Sequence, residues 1–128
     1  MGAVDDLLNL ARTLEQAAAG AEAAVSGVVR RGALNVKNDW RANATVTAGR
    51  HARLYPGSIS YDVHAIPGGA EAIIGPDKDR PQGPLGNLLE YGSVNNAPHN
   101  DGGRALDAEE PRMVDAIEAV ASQLTRHL

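Results

Sequence analysis

The strongest constraint on the fold is an apolar repeat near the N-terminus. Leu7, Leu14, Ala21 and Val28 recur every seven residues, with further leucine, alanine and valine residues between them. This spacing places the apolar side chains along one stripe of a helix, and it predicts a long helix over residues 5 to about 29. Two interpretations of the stripe stay open. It packs against the chain's own sheet, or it pairs with another copy as a coiled coil.

A second helix is predicted after Arg30-Arg31-Gly32, which interrupts the apolar pattern. It covers residues 33 to about 44 and places Val36, Trp40 and Ala44 on one face. Trp40 is the only tryptophan, and we expect it to lie in the core because a large aromatic side chain buries much apolar area.

The second half of the chain contains a β-hairpin signal. Apolar and polar residues alternate from Ile59 to Ala65, which is the pattern of a half-buried strand. Pro67-Gly68-Gly69 then predicts a turn, and residues 70–75 predict a returning strand. Two polar loops, residues 76–84 and 94–103, are expected to follow on either side of a short apolar segment.

A C-terminal helix is predicted over residues 106 to about 124, with Pro111 tolerated only in its first turn. Because two strands alone do not form a stable sheet, helices must cover the hairpin. The expected class is α+β, with a long N-terminal helix and a second helix, a small antiparallel sheet, and a C-terminal helix packed on the sheet. The 128 residues fit a single domain, with a helical part (1–53) and an α+β part with two long loops (54–128).

The sequence contains no recognisable catalytic or nucleotide-binding motif. Phosphate-binding loops, dinucleotide fingerprints, zinc-protease motifs and nucleophile elbows are all missing. Cysteine is absent, and His51, His64, His99 and His127 lack metal-ligand spacing. We therefore expect no enzyme activity, no catalytic residue, no cofactor and no metal. The longest apolar runs are too short to cross a membrane, so no membrane association is expected.

Charge is distributed unevenly along the chain. Between Arg30 and Arg53 there are six basic residues and one acidic residue, whereas between Asp77 and Glu118 there are nine acidic and four basic residues. This asymmetry suits a protein whose one end meets the other end of a neighbouring copy, although two solvated surfaces of different charge would produce it too. Candidate contacts to a neighbour or to DNA are Arg30, Arg31, Lys37, Arg41, Asp77, Asp79 and Arg80.

The segment Leu88-Leu89-Glu90-Tyr91-Gly92 predicts a single helical turn between the two loops. We expect Leu89 and Tyr91 to be buried, so that truncating either destabilises the fold. Glu90 is expected to point outward. Gly92 is expected to end the turn in a conformation that a side chain would resist.

Five segments occur in an order that resembles a known protein family. They are Leu54-Tyr55-Pro56-Gly57-Ser58-Ile59, a hairpin closing on Ile73-Ile74-Gly75, Leu88-Leu89-Glu90-Tyr91-Gly92-Ser93, Ala97-Pro98-His99, and a helix from Arg104-Ala105-Leu106. In this order they resemble the neck or tail-completion proteins of long-tailed bacteriophages, including the minor tail proteins of the lambda Z type. The residues that match the family pattern are Pro56, Ser58, Ile59, Gly75, Leu89, Glu90, Tyr91, Gly92 and Pro98.

The resemblance implies a structural virion protein of the head-to-tail connector. Such a protein would form a ring, expected to be a hexamer, between a head-closure protein and a tail terminator or tail tube protein. It would lie in the neck or tail of the virion, assemble in the host cytoplasm, and contact genomic DNA without sequence specificity if its basic residues line the channel. Two alternatives stay open: the tail terminator of the same assembly, and a small cytosolic binding module that dimerises through its helices.

Overall fold

One helix, α1 (Ala3–Thr47), runs through the whole molecule in the computed structural model, which describes residues 2–126. Its 45 residues span about 68 Å. The predicted interruption at residues 30–32 is wrong, so the two predicted helices are one. Gly32 stays helical because α3, the C-terminal helix, packs on it: a Cβ there would lie 2.8 Å from Cε of Met113. Tertiary packing thus outweighs the low helix propensity of glycine.

The predicted hairpin is confirmed. Strands β1 (Ile59–Ile66) and β2 (Gly69–Pro76) pair antiparallel, with Ile59 opposite Pro76 and Ile66 opposite Gly69. Only Pro67 and Gly68 connect the strands, and Gly68 has a positive φ of 82°, which suits glycine in a tight hairpin turn. Both strands contact α1.

Two further helices complete the fold. After a 3₁₀ turn at Gly83–Leu85, α2 (Gly86–Tyr91) forms the predicted short helical segment. Helix α3 (Asp101–Arg126) begins at Asp101 rather than at Leu106, so Pro111 lies in its interior and not in its first turn. It runs antiparallel to α1, beside the hairpin, and the α+β class is confirmed.

The hydrophobic core is small and lies at the C-terminal end of α1. Its cluster of buried residues is Ala44, Ala52, Tyr55 and Ile59; Ala33, Val36 and Ala105 are also buried. Around the cluster pack partly buried side chains, among them Trp40, as predicted, and Leu89. Two 3₁₀ turns, Arg50–Ala52 and Pro56–Ser58, bring Tyr55 into this cluster. With so few large side chains buried, the folded chain has a narrow margin of hydrophobic stabilisation.

The buried phenol of Tyr55 makes the free energy of unfolding decrease at alkaline pH. Burial raises the pKa of its phenol from 10.0 to about 12, and the carboxylates of Glu90 and Asp101 act in the same direction, while the Trp40 side chain opposes them. The unfolded chain releases this proton near pH 10. The stabilisation is therefore complete below pH 10 and is lost as the pH rises from 10 towards 12.

We expect Tyr55→Phe to remove part of the loss of stability above pH 10. Urea unfolding of the parent and the variant from pH 9 to pH 12 measures this. Tyr91→Phe, at an exposed tyrosine, is the matched control and should keep the parental pH dependence. Equal slopes for the parent and Tyr55→Phe would contradict the assignment.

Candidate functional site

Glu90 caps helix α3, and the expectation that it points outward is wrong. The residue is buried. Its carboxylate accepts hydrogen bonds from the backbone N–H of Gly102, at 3.1 Å to Oε1 and 3.0 Å to Oε2, and from the N–H of Gly103, at 3.2 Å. The first N–H groups of a helix have no partner within the helix, and a negative charge there also interacts favourably with the helix dipole. This cap explains why α3 begins at Asp101.

The other residues of the short helix divide between buried and exposed positions. Leu89 packs against the core, as predicted. Tyr91 is 76% exposed, so its predicted burial is wrong. Consecutive helical residues are about 100° apart, and a segment that directs Leu89 and Glu90 inward carries Tyr91 round to the solvent. Gly92 ends the helix at a φ of 78°, as expected.

Truncation of Leu89 and truncation of Tyr91 should therefore differ. Leu89→Ala removes side-chain contacts with the core and should lower the free energy of unfolding by about 2 kcal/mol or more. Tyr91→Ala, at an exposed site, should change it by no more than about 0.5 kcal/mol. Chemical denaturation of both variants checks this, and equal losses would show that Tyr91 is buried in solution.

Glu90→Gln tests the cap separately. The variant keeps the size of the side chain but loses the charge and replaces one acceptor oxygen by a donor, which faces N–H groups. We expect a loss of about 1–3 kcal/mol in unfolding free energy. Glu110→Gln, on the exposed side of the same helix α3, is the control and should be nearly neutral. A neutral Glu90→Gln would show that water can replace the cap.

Asp101 joins the same end of α3 to the C-terminus of α1. Its buried carboxylate accepts hydrogen bonds from the hydroxyl of Thr47, at 2.8 Å, and from the guanidinium of Arg104, at 2.6 Å. Its backbone carbonyl accepts a third from the amide of Asn43, at 2.9 Å. The sequence carries no local signal for this contact, because Thr47 and Asp101 lie 54 residues apart.

The remaining residues of the family pattern have structural roles. Ser58 donates its hydroxyl to the carbonyl of Tyr55 at 2.6 Å, and Ile59 is fully buried. Gly75 lies beside Trp40. Pro98 packs against the backbone of Gly92, where a Cβ would come within 2.7 Å of the proline nitrogen.

The basic candidate contact residues on α1 divide into exposed side chains and side chains that already make contacts within the chain. Arg30 and Arg31 are exposed. The ammonium of Lys37 lies 5.6 Å from the ring centroid of Tyr61, within cation–π range. The guanidinium of Arg41 donates to the carbonyl of Ile59 at 2.8 Å and 2.6 Å, so it ties α1 to the start of β1.

The candidates between β2 and α2 mostly stabilise their own loop. The carboxylate of Asp77 accepts a hydrogen bond from the backbone N–H of Asp79 at 2.9 Å and lies 3.5 Å from Nε of Arg80. Arg80 also donates to the carbonyl of Gly57 at 3.3 Å. Asp79 is exposed. The structure does not bring this loop together with Arg30 and Arg31 by any described ion pair or hydrogen bond.

Some residues of the acidic stretch (77–118) contact residues of the basic stretch (30–53) of the same chain. Buried Glu109 accepts hydrogen bonds from the amide of Asn35 and from the guanidinium of Arg112, both at 3.1 Å. Arg112 also lies 3.7 Å from the carboxylate of Asp39. These contacts hold α3 against α1, so part of the charge asymmetry serves the fold.

Among residues 2–126, an arm and a groove each leave a run of apolar side chains open to solvent. The first is the N-terminal arm, defined as residues 3–16 of α1, which is exposed throughout; Leu7 and Leu14 are 64% and 51% exposed. The second is an open groove of about 610 Å³ between α3 and β2. Its floor is α1 around Val29 and Val36, and its walls include Ile74 of β2 and Ile117 of α3. Sequence reasoning found the arm's stripe but not the groove, because a gap between elements has no sequence pattern.

The chain matches no protein-family profile, no curated protein and no solved structure. Within residues 2–126, no group of three or more acidic or histidine side chains could hold a metal ion, and no helix is long and apolar enough to cross a membrane. His127 lies outside the described residues.

Proposed function

We propose that this chain is a structural protein of the head-to-tail connector of a long-tailed phage. The observation that carries the proposal is the resemblance of five ordered segments to the neck and tail-completion family. Their residues are interdependent in the structure: Ile59 lies in the core, Glu90 caps α3, and Gly92 directs the chain toward Pro98. Such a set of structural residues supports a shared fold more than a shared catalytic site.

The surface of the chain also supports an assembly role. Of the sixteen exposed large apolar side chains among the described residues, eight lie on the arm or line the groove, and contiguous exposed apolar surface is typical of interaction sites. Copies in a closed ring meet through heterologous contacts, in which one patch of each copy faces a different patch of the next. The proposed partners are further copies, in a ring expected to be hexameric, a head-closure protein on one side, and a tail terminator or tail tube protein on the other.

Arg30 and Arg31 are the basic side chains best placed for an external role, since both are exposed on α1. They would face either acidic residues of a neighbouring copy or the DNA in the channel. Both contacts are electrostatic and would weaken with salt, which screens exposed charges over about 10 Å at 0.1 M.

We expect Arg30→Glu with Arg31→Glu to block virion assembly or DNA handling without unfolding the chain. Complementation of a phage that lacks this gene, followed by negative-stain microscopy, measures the effect. Loss of head–tail joining supports the neighbour contact, and intact particles with impaired DNA retention or ejection support the channel. Arg50→Glu with Arg53→Glu, at exposed arginines outside the candidate set, is the control. Normal titre and intact particles for the Arg30/Arg31 double variant would reject both roles.

A second candidate is a small cytosolic module that dimerises through α1. The observation that favours it is the uncovered apolar stripe of the arm. Gene order separates the candidates: portal, protease and capsid genes upstream with a tail tube gene downstream support a connector protein or a tail terminator, and not the module.

A further inference from the structure

The arm and the floor of the groove belong to one continuous apolar stripe. At about 100° per residue, Val4, Leu7 and Leu14 lie on the same face of α1 as Val29 and Val36. Helix α1 is unbroken between them. The stripe is therefore the floor of the groove at one end and an uncovered surface at the other.

The chain cannot fill its own groove with its own arm. Because the arm and the floor are parts of one unbroken helix, the arm points away from the groove and would have to break α1 to fold back. Only a second molecule can therefore cover the exposed leucines and fill the groove. A second copy of this chain supplies both a groove for the leucines and an arm for the groove.

We propose that the groove is occupied by the N-terminal arm of a second copy of this chain, lying antiparallel to α1. The lengths agree: the arm from Val4 to Leu14 spans about 15 Å, and the α3 wall from Leu106 to Ile117 spans about 17 Å. This pairing places Leu7 near Ala33 and Ala11 near Val29 of the other copy. The two helices then cross at residues 17–21, Ala-Ala-Ala-Gly-Ala, where small side chains allow close approach of the backbones.

The contact is reciprocal. Because α1 is one unbroken helix, antiparallel pairing that crosses at residues 17–21 places each copy's arm in the groove of the same partner, and the pair has twofold symmetry. The inference rests on the proposed function only for its place in a virion. The contact itself follows from the stripe and the groove, so it is testable on the purified chain.

The charges at the edges of this contact predict an unusual response to salt. The arm carries Asp6 and Glu15 against Arg12, and the α3 wall carries Glu110 and Glu118, so both sides of the contact are acidic on balance. Like charges across an apolar contact repel, and salt screens that repulsion. Association through the arm should strengthen as salt rises, which is the opposite of the response expected for the contact of Arg30 and Arg31.

Sedimentation equilibrium of the purified chain at low and high salt tests the proposal. The parent should associate, more strongly at high salt. Leu7→Glu with Leu14→Glu should weaken association by at least about 100-fold, since each buried leucine is worth more than a factor of ten. Asn9→Glu with Gln16→Glu adds the same charge on the opposite face of the arm. Compared at high salt, where the added repulsion is screened, this control should associate like the parent.

Cross-linking identifies the groove as the occupied surface. The chain has no cysteine, so any disulfide that forms must join the introduced cysteines. A mixture of the Ala11→Cys variant and the Val29→Cys variant should form a covalent heterodimer on mild oxidation, whereas Asn9→Cys mixed with Val29→Cys should not.

A monomeric parent at both salt concentrations would overturn the proposal, as would equal association of the Leu7/Leu14 and Asn9/Gln16 variants or equal cross-linking of the two mixtures. Circular dichroism melts show whether each variant keeps the fold. Failure of the phage role would appear separately, as arm-dependent association in solution while a phage that lacks this gene still assembles normal particles.

Discussion

The capping of α3 by Glu90 is the interaction on which the second half of the molecule depends. A carboxylate removed from water is costly unless hydrogen bonds compensate it, and here three N–H···O contacts from Gly102 and Gly103 do so. The cap fixes the short helix α2 relative to α3, although a loop of nine residues separates them in the chain. Asp101 then joins the same point to Thr47 at the end of α1. A chain with few large apolar side chains thus uses buried, paired carboxylates to orient its helices.

Close backbone approach is the second device that compensates for the small core. Glycines lie where helices and aromatic rings meet: Gly32 faces Met113, and Gly102 faces the ring of Trp40, where a Cβ would come within 2.7 Å. Such contacts bring the elements near enough for alanine and valine to pack. They also explain why α1 passes through Gly32 without a break, since α3 covers it.

The length of α1 links the fold to the proposed assembly. One helix is at once the support for the hairpin, the packing surface for α3 and an arm that extends beyond both. A long helix that is apolar along one side and covered over only part of its length presents the uncovered part to other molecules. The proposed virion role and the proposed arm contact are independent interpretations of this geometry. The first depends on the family resemblance and the second on the stripe and the groove.

The sequence by itself determined the elements whose signals are local. Heptad spacing indicated the N-terminal helix, alternation and Pro-Gly indicated the hairpin, and Gly92 indicated the end of α2, because each pattern reflects the geometry of neighbouring residues. Only the tertiary structure decided that Gly32 continues the helix, that α3 begins at Asp101, that Glu90 faces inward and that Tyr91 faces solvent. Each of these outcomes depends on a partner distant in sequence: Met113 for Gly32, Glu90 for the start of α3. The groove, too, exists only because α3 and β2 cover α1 without meeting over it, which no run of residues specifies.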